Sequence, residues 1–219
     1  MQRQLKVIGR GKVSLVPDMI IMILNLSKKE LDYETALNQS SVQSRLVKEM
    51  LVELGFEEES IKTKRFHIEP EYTYRKENGT SKSVIDGFRF NNRLEFKFKI
   101  DNKLMGKILY KLSKLEVECK IEIQYSYSDM NSLNKILLES SVNDAIEKAK
   151  VLAKASNVEL VQIQDIVHSF SDQNVSVTPF DRDLIEYCRL STEREEYDID
   201  INPSDITLMD IVTIVWEIR

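Results

Sequence analysis

The sequence predicts an α+β fold: a largely antiparallel sheet of about seven strands, with two long helices and one shorter helix packed mainly on one face. Three observations predict it. Residues 132–156 carry a helical stripe long enough to cover a sheet. Residues 88–100 alternate between apolar and polar, with Asn92 the one polar residue on the apolar parity. Strand-like runs recur from residue 5 to residue 218, with only three helical patterns among them.

Leu5 to Leu15 reads as a strand with Leu5, Val7, Gly9, Gly11, Val13 and Leu15 on one face. The Gly9-x-Gly11 pair lacks the third glycine and following helix of a dinucleotide loop, so it marks a bulge or a close approach by another backbone. Pro17-Asp18 signals a turn, and the nearly all-apolar Met19 to Leu26 reads as a central strand that should pair with the first as a hairpin. Asp32 suits an N-cap and Gly55 a C′ position. Between them Ala36, Ser40, Gln43, Val47, Met50 and Leu54 follow a helical stripe, with Leu46 and Leu51 beside it. From Ile61 to Tyr74 a strand slips phase: Ile61 and Thr63 share one parity, while Phe66, Ile68, Pro70, Tyr72 and Tyr74 continue on the other, as across a β-bulge. Pro70 places this part of the strand at an edge or a bulge. Asn78-Gly79 supplies the turn, and the return strand carries Phe88, Phe90, Asn92, Leu94, Phe96, Phe98 and Ile100 on one face.

Asn102 to Leu115 reads as the shorter helix, with Leu104, Ile108, Leu112 and Leu115 inward, and Glu118 to Tyr127 as a strand. In the helix from Ser132 to Ser156, Ser141, Ala145, Ala149 and Ala153 form a ridge of small side chains at i, i+4 spacing, which lets the helix lie close to what it covers. Leu138, Val142, Ile146 and Leu152 widen that face, while Asp144 with Lys148 and Glu147 with Lys150 pair on the outer side. Its length is about 37 Å. Leu160 to Phe170 reads as a strand, so strand, helix and strand suggest a right-handed βαβ crossover. The polar, acidic stretch Ser171 to Ser204 reads as a surface excursion from a single domain spanning residues 1–219, with a short helix possible at Asp181 to Leu190 and mostly charge from Glu193 to Asp200. The last strand carries Ile206, Leu208, Val212, Ile214, Trp216 and Ile218, and Asp210 interrupts that face and needs a partner or a place beyond the sheet edge.

Of the 219 residues, 42% are hydrophobic and 31% charged, and the formal net charge is -5. No basic surplus points to nucleic acid, and KxK runs such as Lys62 and Lys64 or Lys97 and Lys99 read as solvent faces of strands. No apolar h-region opens the sequence and no transmembrane run occurs, so a cytoplasmic location is expected. Cys119 and Cys188 cannot form a disulfide framework: Cys119 reads as a buried thiol, Cys188 as exposed, and a regulatory disulfide between them as the minor alternative.

The order of features resembles the SIMPL-domain family. The resemblance runs through Leu5-x-Val7-x-Gly9-x-Gly11, Pro17-Asp18, Leu54-Gly55-Phe56 and Ile61-x-Thr63. It continues through Phe66-x-Ile68-x-Pro70-x-Tyr72-x-Tyr74, Gly87-Phe88 and Asn92, and closes on Asp144-Ala145 and Lys148-Ala149. The family includes bacterial periplasmic immunogenic proteins and a eukaryotic signalling protein associated with a pelle-like kinase. The resemblance implies no catalytic residues. At least one bacterial member forms a large ring-like homo-oligomer and some are linked to oxidative stress or the cell envelope, so the resemblance implies self-association. This chain departs from it at Phe88 and Phe90, where many members have Tyr and a small residue, and no secretory leader is expected from its opening residues.

No residue constellation declares a reaction. His67 and His168 each fall inside a strand pattern, and no His, Cys or carboxylate cluster has zinc-type spacing, so neither a metal nor a cofactor is expected. Glu69 and Glu71 flank Pro70 and read as a solvated strand edge before a paired-carboxylate site. Tyr72, Tyr74, Phe88 and Phe90 form an aromatic-rich patch: core packing is the first reading, and an interface or ligand surface the second. The expectation is a non-enzymatic scaffold or interaction protein, self-associating and stress-related, with an unknown protein partner. The alternative is a module that binds a peptide or small apolar ligand along the hairpin 66–98.

Overall fold

A computed structural model describes residues 3–77, 80–168 and 201–219. The elements in chain order are strands β1 (Gln4–Leu15) and β2 (Met19–Glu30), helix α1 (Tyr33–Glu53), strands β3 (Lys62–Glu77) and β4 (Thr80–Lys99), helix α2 (Asn102–Lys114), strand β5 (Cys119–Ser126), helix α3 (Met130–Ala155), and strands β6 (Leu160–His168) and β7 (Ile206–Ile218). The fold is α+β with seven strands and three helices, as the pattern predicts. The strands divide between two antiparallel sheets, of order β1-β7-β6 and β3-β4-β2-β5. The Asn78-Gly79 turn, Cys188 and most of the 171–204 excursion, including the stretches 181–190 and 193–200, lie outside the described residues.

The chain forms two compact units. The first comprises β1, α3, β6 and β7. Helix α3 starts at Asp129, whose carboxylate caps the Ser132 N–H at 3.0 Å, and runs 26 residues, about 39 Å. Its predicted ridge of Ser141, Ala145, Ala149 and Ala153 is buried, and Ala145 and Ala149 pack on Val7, Val212, Ile214 and Trp216. Leu133 and Leu137 extend the buried face onto Ile206 and Leu208, whereas Leu138 and Leu152 are exposed. Gly9 and Gly11 lie under this helix. A Cβ at Gly9 would overlap the Ser141 carbonyl oxygen and sit 2.7 Å from Ala145 Cβ, and one at Gly11 would overlap the Leu137 carbonyl. The glycines therefore answer to a close backbone approach.

The second unit holds the four-stranded sheet with α1 and α2. Asp32 caps α1 by accepting from the Thr35 N–H at 2.8 Å. At the other end Gly55 takes φ 95° and Phe56 N–H reaches back to the Leu51 carbonyl at 3.1 Å, a Schellman ending. Ala36, Ser40, Gln43, Val47, Met50 and Leu51 are buried on α1, while Leu46 is exposed. A polar tie crosses this interface: Asn92 Nδ2 donates to Ser44 Oγ at 2.6 Å, and Ser44 Oγ to the Ser40 carbonyl at 2.7 Å. The phase slip in β3 is a register shift between Thr63 and Arg65, and β3 is an edge strand, consistent with Pro70. On α2, Met105, Ile108, Leu109 and Leu112 are buried, with Leu104 and Leu115 at the margin.

Two expected connections are corrected. β1 pairs with β7 and β2 with β4, so β1 and β2 do not form a hairpin: the chain leaves the first unit at Pro17 and enters the second at Asp18. Nor do β5, α3 and β6 make a βαβ crossover, because β5 belongs to the four-stranded sheet and β6 pairs antiparallel with β7.

Candidate functional site

Four polar or aromatic assemblies can be tested for function. In the first unit, Asp210 breaks the apolar stripe of β7 and points to the helix side, where Ser141 and His168 meet it. Ser141 Oγ donates to Asp210 Oδ2 at 3.2 Å, and His168 Nε2 lies 2.9 and 3.0 Å from the two carboxylate oxygens. Because both contacts are to a carboxylate, Nε2 carries the proton and donates. The three residue types are those of a hydrolytic triad, but their order differs. The carboxylate stands between hydroxyl and imidazole, so no base addresses Ser141, which is fully buried and shares its one hydroxyl hydrogen between Asp210 and the Leu138 carbonyl, 2.8 Å away. The cluster satisfies a carboxylate that is 13% exposed. Sequence reading demanded a partner for Asp210 without finding it, since the residues that meet are separated by 42 and 69 positions.

Beside it, α3 clasps the edge of β1. Asp144 accepts from the Arg10 backbone N–H at 2.7 Å and from Lys148 Nζ at 2.6 Å, while Lys148 reaches the Ile8 carbonyl at 3.4 Å. The predicted i, i+4 pair thus also occupies edge backbone groups that would otherwise template another strand. Lys148, then the Arg10 N–H, hold the Asp144 carboxyl below its usual value of 3.8. A depressed native pKa contributes stability that is complete above the unfolded value and lost as pH falls through the native one. Asp144→Asn should therefore lower the thermal midpoint by about 2 °C at pH 7. In melts followed by circular dichroism, the gap between variant and parent should narrow as pH falls from 7 through 3.8 to about 3. A gap undiminished at that pH would refute the clasp as an ionised contact.

In the second unit the aromatic patch separates. Phe90 has no exposed surface and belongs to the core. Phe88 is half-buried, edge-on to Tyr33 with ring centroids 5.9 Å apart. Tyr72 and Tyr74 are 60% and 77% exposed on the same face of the hairpin, where Tyr72 opposes the exposed Ile85. Tyr33 opens α1, so the hairpin runs on beyond the helix that covers Phe90.

The opposite face of that sheet is polar. Arg89 and Lys29 bind Glu71, and Lys29 also binds Asp86. Arg89 first, and Lys29 more weakly, hold the Glu71 carboxyl below its ordinary range. Glu69 and Glu71 are thus separately engaged, Glu69 by Asn91 Nδ2 at 3.3 Å. His67 Nε2 lies 3.3 Å from the same amide. Cys119 is partly exposed, yet burial pushes its thiol up to about 12, which makes it a poor nucleophile. Among the described residues no group of three or more His, Cys, Asp or Glu side chains is placed to hold a metal, and no helix is long and apolar enough to cross a membrane.

These features define an α+β protein with helix-covered antiparallel sheets, in which the Ser141–Asp210–His168 cluster and the Asp144–Lys148 clasp serve packing. The SIMPL family, described as a protein of unknown function (DUF541), matches residues 5–216, and the chain belongs to that family. No curated protein matches it.

Proposed function

We propose that this SIMPL-family chain is a non-enzymatic interaction protein that self-associates through the projecting part of the β3–β4 hairpin. The observation that supports this reading is the exposure of Tyr72 and Tyr74 together on an edge strand, beside Ile85. Tyrosine combines a large apolar ring with a polar tip, which suits a surface that is wet alone and dry in a complex. The pairing strand edge adds main-chain groups to the same surface. A second copy is the occupant of choice because Glu71 and Arg75 flank Tyr72 and Tyr74, so two antiparallel copies centred on Thr73 would oppose unlike charges. A groove for an apolar ligand has less support, since Phe90 is sealed in the core and Phe88 lies against Tyr33.

Light scattering with size-exclusion chromatography tests the reading. The full chain at micromolar concentration should exceed the monomer mass, and the double variant Tyr72→Ser, Tyr74→Ser should return it to the monomer with an unchanged circular dichroism spectrum. Loss of these two rings should weaken association at least about tenfold. A strictly monomeric parent, or an oligomer indifferent to the double variant, would overturn the proposal.

A further inference from the structure

On the sheet face opposite Tyr72 and Tyr74, a depression of about 370 Å³ is lined by Asn25, Arg65, His67, Glu69, Asn91 and Arg93. It lies at the lower end of the size range of small-molecule sites. Arg65 and Arg93 are direct cross-strand partners, an arrangement that places like charges opposite one another and is unfavourable alone. Arg93 is compensated by Glu122, with its two terminal nitrogens 3.1 and 3.4 Å from the carboxylate oxygens, and Asn25 Nδ2 holds the same carboxylate at 2.9 Å. Arg65 has no carboxylate within ion-pair distance among the described residues. Arg65 therefore borders the depression without a carboxylate partner among the described residues, in a lining that also holds Asn25 and Asn91.

We propose that this depression is a binding site for a small, singly charged hydroxy-carboxylate, seated by its carboxylate on Arg65. The guanidinium fork matches the two oxygens of a carboxylate. Arg93 is already paired with Glu122, so Arg65 is the one guanidinium left for a single carboxylate, whereas a dianion would be repelled by Glu69 and by Glu122 behind Arg93. The carboxamides and Glu69 offer donors and acceptors to hydroxyl groups, and the scarcity of apolar side chains in the lining disfavours a greasy ligand. The site is independent of self-association, because residues 65, 67 and 69 alternate in β3 with those on the tyrosine face.

The test is a titration of the full ¹⁵N-labelled chain with sodium gluconate, sodium phosphate and sodium chloride, read as amide shifts. Gluconate should give saturable shifts clustered at residues 25, 65–69 and 91–93, and chloride should not. Arg65→Gln should weaken gluconate binding at least about tenfold. Lys62→Gln, an equal loss of charge on the same strand outside the lining, should leave it unchanged. Phosphate binding tighter than gluconate, shifts that chloride reproduces, or equal losses in the two variants would overturn the proposal. So would no saturable shift with gluconate.

Discussion

Gly9→Ala is expected to cost at least about 3 kcal/mol and to lower the thermal midpoint by about 6–12 °C, if the chain accumulates folded at all. The magnitude follows from what the added methyl meets. It would overlap the Ser141 carbonyl oxygen and lie 2.7 Å from both Ala145 N and Ala145 Cβ. Backbone in a helix cannot rotate aside as a flexible side-chain end would, so α3 must lift from β1. Lifting it would loosen the packing of Ala145 and Ala149 on Val7, Val212, Ile214 and Trp216. The Asp144 contact to the Arg10 N–H and the Ser141 contact to Asp210 depend on the same seating. Gly55→Ala is the control. Its Cβ would meet nothing within 4 Å, but φ is 95°, so its cost of about 1 kcal/mol reflects backbone conformation alone. Thermal melts of the two variants should separate clearly. A Gly9→Ala loss no greater than that of Gly55→Ala would mean that α3 does not lie this close to β1.

The ridge on α3 and the glycine pair on β1 were legible separately because each is a local pattern, one of period four and one of period two. Their fit to one another is the three-dimensional consequence of small residues on both sides. The slip between Thr63 and Arg65 was legible for a similar reason: a change of parity in one strand has few explanations. Division into two sheets was not. β1 and β2 are joined by three residues, which suits a hairpin, and nothing in the apolar stripe of β1 distinguishes β2 from β7 as a partner. The aromatic patch failed to resolve for another reason. Phe90 and Tyr72 both fall on the apolar parity, but only the position of Tyr33, at the start of α1, decides where cover ends. Alternation reports the face of a residue and is silent about how far along the strand that face is covered.

The cluster around Asp210 provides the second large expected effect. His168→Leu leaves the carboxylate with the Ser141 hydroxyl in a site where Asp210 is only 13% exposed. Stranding a charge in that way should cost about 2–3 kcal/mol. Asp210→Leu removes the charge but leaves the His168 Nε2–H without its two carboxylate acceptors, and should cost about 1–2 kcal/mol. Ser141 retains the Leu138 carbonyl in that variant, so its hydroxyl is not orphaned. The double variant places apolar groups on both sides of the contact and continues the stripe of Leu208 and Val212 on β7. Its loss should fall below the sum of the single losses by at least about 1 kcal/mol, measured by urea denaturation at pH 7. That non-additivity distinguishes a packing contact from two unrelated defects. Simple additivity would show that His168 and Asp210 do not support one another in solution, and the account of Asp210 as a satisfied interior carboxylate would fall with it.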